Sequence, residues 1–160
     1  MTLERPADIP AANRASLDEL LGWLTGRYAD LRRFMVTGSR EWFEWRVVWR
    51  VLAHMPPAAE MLNGQAVGAD ALCDAFWRTQ GSLIRPFPVR REDWQLHGKR
   101  AGQLRNELMV EHMPACVLGF LRHDVSSPGT RGALRLAGDR EIPTFVFHYA
   151  VTPSPRGVHL

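Results

Sequence analysis

The amino-acid sequence predicts an α/β fold, a Rossmann-like doubly wound sheet of about five parallel strands in the order 3-2-1-4-5 with helices on both faces. Two observations lead there. Apolar runs of strand length alternate with longer segments of helical period, which demands crossover connections and therefore parallel pairing. The runs are also continuously apolar, as strands covered on both faces are.

The elements follow in order. Residues 1 to about 15 are rich in Pro and Ala and carry no pattern, so an arm is expected. With the next helix it makes an N-terminal unit over 1–30, ahead of a domain over 31–150 and a tail over 151–160. Residues 16–27 are predicted helical: Ser16 caps, Glu19 stands three residues on, and Leu17, Leu20, Leu21 and Leu24 share a face. Phe34, Met35 and Val36 form a first strand. The helix after it places Trp42, Trp45, Trp49 and Leu52 on one side and stops at Pro56 and Pro57. Glu60, Met61 and Leu62 make a second strand. The following helix runs from about Gly68, buries Ala69, Leu72, Cys73, Phe76 and Trp77, and closes at Gly81. Residues 82–85 are a third strand, followed by Pro86, Phe87, Pro88 and a loop through Trp94. One helix is predicted over 96–112, with Ala101, Leu104 and Leu108 inward. Residues 115–121 form a fourth strand, 130–138 a helix and 144–147 a fifth strand.

Composition narrows the function classes. A chain of 160 residues fits one domain and would cramp two cores, and 46% hydrophobic residues exclude disorder. No apolar run approaches the ~20 residues of a membrane helix. Glu4, Arg5 and Asp8, with Pro6 and Pro10, do not compose a signal peptide, so a cytoplasmic protein is expected. The net charge of +3 comes from scattered arginines and Lys99, which argues against a nucleic-acid interface. Cys73 and Cys116 form no CxxC and read as buried free thiols of a reducing compartment. No metal and no cofactor is expected.

In such sheets ligands bind where the strand order reverses, outside the carboxyl ends. After the first strand, Gly38 permits close backbone approach, while Ser39 and Arg40 offer a hydroxyl and a guanidinium; the plainer reading is a turn with Ser39 as helix cap. After the second, Gly64, Ala66, Gly68 and Asp70 surround a helix start whose amides favour an anion, although this is neither a Walker A loop nor a full GxGxxG. Asp70 is either a dipole-matched cap or a hydrogen-bond partner of a ribose or base. Beyond the third strand, Lys99, Gly102 and Asn106 lie on one side of a helical wheel and Leu104 and Leu108 on the other, with Arg105 between. An arginine there calls for an anion or a carboxylate. Trp94 either stacks on a base or covers the core. After the fourth strand, Ser127, Gly129 and Thr130 open a second anion-binding helix start.

These motifs, from Val36-Thr37-Gly38-Ser39-Arg40 through Gly64-Gln65-Ala66-Val67-Gly68-Ala69-Asp70, Pro86-Phe87-Pro88, Trp94, Gly98-Lys99 and Arg105-Asn106-Glu107-Leu108-Met109 to Gly129-Thr130, resemble the YspA/cpYpsA-related branch of the SLOG superfamily over roughly residues 33–147. The resemblance implies a Rossmann-like domain, found also in phages, that binds a nucleotide or nucleotide-derived ligand. SLOG domains are related to LOG phosphoribohydrolases and to DprA. A LOG enzyme uses an Arg in an Arg-Lys-x-x-Met segment and a Glu three residues after a Gly-Thr. Here Arg105 and Met109 match, Asn106 replaces the Lys, and Ala133 stands where the Glu would. A sensor or sequestering module is therefore the leading expectation. The alternative is an N-glycosidase acting on nucleoside monophosphates through Arg105 with Asp70, Asp93 or Glu107 as carboxylate. A DprA-like DNA-binding protein is the lesser one. The tryptophan-rich helix or the Leu17 to Leu24 stripe offers apolar surface for a homodimer, and core packing explains the same residues. If the 64–70 loop holds the phosphate, Gly68→Asp abolishes binding and leaves the melting temperature near wild type.

Overall fold

The computed structural model describes residues 11–149; the predicted tail and residues 1–10 of the predicted arm lie outside them. Strands β1 (Arg33–Gly38), β2 (Glu60–Asn63), β3 (Ile84–Pro86), β4 (Val117–Leu121) and β5 (Thr144–His148) form one sheet of five parallel strands in the order β3-β2-β1-β4-β5. The sequence expectation of a Rossmann-like α/β fold holds.

Alternation along the strands divides the core. Phe34, Val36, Met61, Leu118 and Phe120 face α1 (Ala11–Leu24), α2 (Trp45–Leu52) and α3 (Ala69–Thr79). Met35, Leu62 and Val117 face α5 (Ala101–Glu111) and α6 (Pro128–Asp139) through Met109, Val110, Ala133 and Ala137. Trp77 anchors the first side. It meets Phe34 edge-on at 5.0 Å, and its indole N–H donates to the carbonyls of Ala59 and Leu83. Burial of so large a ring is favourable because that N–H is not left unpaired. Cys73 and Cys116 are buried free thiols, as read from the sequence, and burial pushes the Cys116 thiol up to about 12.

Several elements differ from their sequence expectation. Ser16 does not cap a helix, because α1 is already running at Ala11. The reason is Asn13, whose side-chain amide pairs both ways with the backbone of His148 and so occupies the edge of β5. Of the predicted leucine stripe, Leu20 and Leu24 are buried in the chain's own core, Leu17 packs partly buried against it, and Leu21 is exposed. In α2 the inward face is Val48, Val51 and Leu52; Trp45 is half-exposed, and Trp42 lies ahead of the helix, buried against Phe120 and Tyr149. Leu72 and Phe76 are only half-buried on α3, where Ala69, Asp70, Cys73 and Trp77 face inward. The single helix predicted over 96–112 is broken. Residues assigned to a loop form α4 (Arg91–His97), Gly98 ends it at a φ of +56°, and a short 3-10 turn (Gly98–Arg100) leads into α5. That break rotates α5, so Asn106, Met109 and Val110 point inward and Leu108 outward. No helix among the described residues is long and apolar enough to cross a membrane.

Sheet and helix approach closely at Gly38. A Cβ there would lie 2.3 Å from the Ala69 Cβ and 2.8 Å from the Phe120 carbonyl oxygen. Gly38→Ala is therefore expected to cost about 3 kcal/mol by overpacking, seen as a lower urea midpoint. An unchanged midpoint would show that β1 and α3 are not held this close.

Candidate functional site

A crevice of about 570 Å³ opens at the carboxyl ends of the strands, within the size range of small-molecule sites. Its shape begins with Ser39, which is buried just past β1. The Ser39 backbone N–H donates to Phe120, and its carbonyl accepts from Trp42 and Ala69. Its hydroxyl accepts from the Arg122 N–H and lies 2.6 Å from the Ser127 hydroxyl. Ser39 is thus neither the cap of α2, which starts six residues later and whose Arg46 N–H donates to the Glu44 carboxylate, nor a free ligand group. It joins the ends of β1 and β4 to the starts of α3 and α6.

The loop after β2 is organised from within. Asn63 is buried, donates to the Asp70 carbonyl and accepts from the Gln65 N–H. This holds Gln65 at a φ of +61°. Gly64 supplies room instead: a Cβ there would lie 2.6 Å from Nη1 of Arg105 and 3.0 Å from Oδ2 of Asp70. Gly68, at a φ of +79°, lies against the Ser39 and Arg40 backbone, where a Cβ would sit 2.3 Å from the Arg40 carbonyl oxygen. Consequently Gly64 and Gly68 serve packing and do not line the crevice, whereas Ala66 and Asp70 do. Gly68→Asp is also no neutral probe of binding, since the side chain would collide with backbone. The Ala69 N–H at the start of α3 is already bonded to Ser39.

Asp70 stands within the first turn of α3, the place that matches the helix dipole. Its Oδ2 accepts from the Ala66 N–H, and its buried Oδ1 has no hydrogen-bond partner among the described residues. Burial pushes its carboxyl up to about 6, against the opposing effects of the Ala66 hydrogen bond, Arg105 and Arg40. Arg105 donates Nη1 to the Gly64 carbonyl at 2.6 Å and Nε to Oδ1 of Asn106, while its Nη2 has no hydrogen-bond partner among the described residues. Asn106 passes the restraint on through Nδ2 to the Gly129 carbonyl. One chain of contacts therefore runs from β2 through Arg105 to the start of α6.

At that start, Ser127 gives no side-chain cap because its hydroxyl is engaged with Ser39. Pro128 has no N–H, and Arg131 is the first residue to bond back within the helix, to Ser127. The Gly129 and Thr130 amides stay uncapped where both residues line the crevice. Arg40, Lys99 and Arg105 line it too, against the carboxylates Glu41 and Asp70.

The crevice brings together Gly38, Ser39, Arg40, Ala66, Asp70, Lys99, Arg105, Asn106, Ser127, Gly129 and Thr130. It adds Thr37, Ser126 and Pro128, which stand in the strand-end motifs but are not among the predicted site residues, and Glu41 and Val125 beside them. Position in or next to the strand-end motifs was the available signal for each. Of the carboxylates considered for catalysis, Asp93 and Glu107 are absent from the lining, and Asp93 accepts the Arg90 N–H at the start of α4. Among the described residues no group of three or more His, Cys, Asp or Glu side chains could hold a metal ion.

No family model matches the chain. The chain is similar to the Gene 61 protein of Mycobacterium phage D29, with 37% identity over 124 residues that span 73% of this chain and 97% of that protein.

Asp70 makes stability depend on pH in a defined direction. Its folded-state carboxyl holds a proton more tightly than the ordinary value of 3.8, so this contribution is full at low pH and is lost as pH rises through about 6. Relative to Asp70→Asn, the wild type is expected to lose roughly 2–3 kcal/mol between pH 4 and pH 7 in urea unfolding. Parallel profiles for the two proteins would mean that Asp70 titrates as an exposed aspartate does.

Proposed function

As the chain belongs to the family of the Gene 61 protein of Mycobacterium phage D29, we propose that it is a nucleotide-binding module of the SLOG kind, a sensor or sequestering domain for a nucleotide or nucleotide-derived anion. The observation that carries this reading is the uncapped start of α6 in the same crevice as Arg40, Lys99 and Arg105. Backbone amides, the helix dipole and cations then converge on one place for negative charge. The phosphate belongs at α6 and not at α3, because Asp70 puts a carboxylate into the first turn of α3. A cytoplasmic setting agrees with two buried free thiols.

Binding without turnover is supported by Ala133. It is fully buried in the core with Met35 and Met109, so the position of the LOG glutamate belongs to packing. A second reading, nucleoside monophosphate N-glycosidase, is favoured by one feature: Asp70, raised to about 6, has the proton affinity of a general acid or base and lines the crevice. Native mass spectrometry of the protein with NAD, ADP-ribose, cyclic nucleotides and (deoxy)nucleoside monophosphates separates the two. A retained intact nucleotide supports the module; a nucleotide lost with release of its base supports the enzyme.

Gly129→Asp tests the site itself. A Cβ at Gly129 meets nothing within 4 Å, so the substitution fits, and a carboxylate in the first turn of a helix is stabilising. Nucleotide affinity is expected to fall at least about tenfold through charge repulsion, with the melting temperature unchanged or raised. Undiminished affinity would remove α6 from the site.

A further inference from the structure

Trp94 is placed unlike the other tryptophans. It stands on α4 in the stretch 88–100, where no residue is buried, between the buried Phe87 and Ala101. The ring is 42% exposed, and neighbouring Leu96 is 77% exposed, so α4 lays no apolar face on the core. The indole N–H has no hydrogen-bond partner among the described residues. Yet Trp94 lines the crevice with Lys99 and is the sole aromatic residue to do so among the described residues. Of its two sequence readings, core cover is therefore not what the ring does.

We propose that Trp94 is the stacking platform for the base, and that it makes the crevice selective for a planar heterocycle over the sugar phosphate alone. This rests on the nucleotide reading and adds its second subsite. The anion end is supplied by α6 and the cations; a base needs a flat apolar face, which every base can use and which an indole offers best. Val125, from the β4–α6 connection, and Pro128, at the start of α6, add apolar lining. Because α4 ends at the left-handed Gly98 and buries nothing, Trp94 can adjust to a ring without disturbing the core.

The test is calorimetric titration of wild type, Trp94→Ala and Trp94→Phe with the four ribonucleoside 5′-monophosphates and with ribose 5-phosphate. Wild type is expected to bind at least one nucleotide roughly five- to a hundred-fold more tightly than ribose 5-phosphate. Trp94→Ala loses that margin while keeping its melting temperature and its ribose 5-phosphate affinity, and Trp94→Phe keeps most of the margin. An undiminished margin in Trp94→Ala, or equal weakening of both ligand types, overturns the stacking role. Equal affinity of wild type for ribose 5-phosphate and nucleotides overturns it too, while leaving the anion site standing. Binding of neither overturns the nucleotide reading and this inference with it.

Discussion

The hydroxyl of Ser39, shared between the Arg122 amide and the Ser127 hydroxyl, is the contact on which the geometry of the crevice depends. It sits where the strand order reverses, with β2 and β3 to one side of β1 and β4 and β5 to the other. A parallel sheet leaves a gap at that point, because the connections leave its two halves in opposite directions. Here the gap is bridged by one buried side chain and its backbone. Each such bond is worth only about 1 kcal/mol net, but an orphaned partner costs more, so the arrangement is held against loosening. It also draws Ser127 away from capping α6, which keeps the amides of that helix open. Structural support and chemical availability are thus two results of one hydrogen bond.

The charges of the crevice are arranged by similar economy. Arg105 is part-buried, and its guanidinium donates to the carbonyl of Gly64 and the side-chain oxygen of Asn106 within the field of Asp70. None of these contacts is a close ion pair. Burial therefore lowers the Arg105 pKa and raises that of Asp70, while their mutual attraction opposes both shifts. The result is a cation kept in place by neutral acceptors, whose charge is not cancelled on the spot. That is the condition in which a buried arginine still attracts an anion.

Much of this was legible in the sequence. Alternating apolar runs and helical segments suffice for the parallel sheet and its order, since the right-handed crossover leaves few arrangements. The strand-end rule then places most of the crevice, including Arg105 and Asn106, which lie far from Gly129 in sequence. What the pattern concealed were roles decided by contacts between elements. Glycine in a strand-end loop reads as room for a ligand, yet Gly64 makes room for Arg105 and Gly68 for the Arg40 carbonyl. Tryptophans at helical spacing read as one buried face, yet Trp42 and Trp45 lie on opposite sides of a helix start. Gly98 falls inside the single helix predicted over 96–112, but its left-handed conformation turns α5 and brings Asn106 inward.

The bond between Ser39 and Ser127 joins positions 88 residues apart. Closing so long a loop has an entropic cost, so the crevice exists only where contacts far apart in sequence are made together. The pairing of β1 with β4 has the same non-local character. Anything that binds in the crevice recognises only the finished tertiary structure, and by mass action it stabilises the whole cooperative unit.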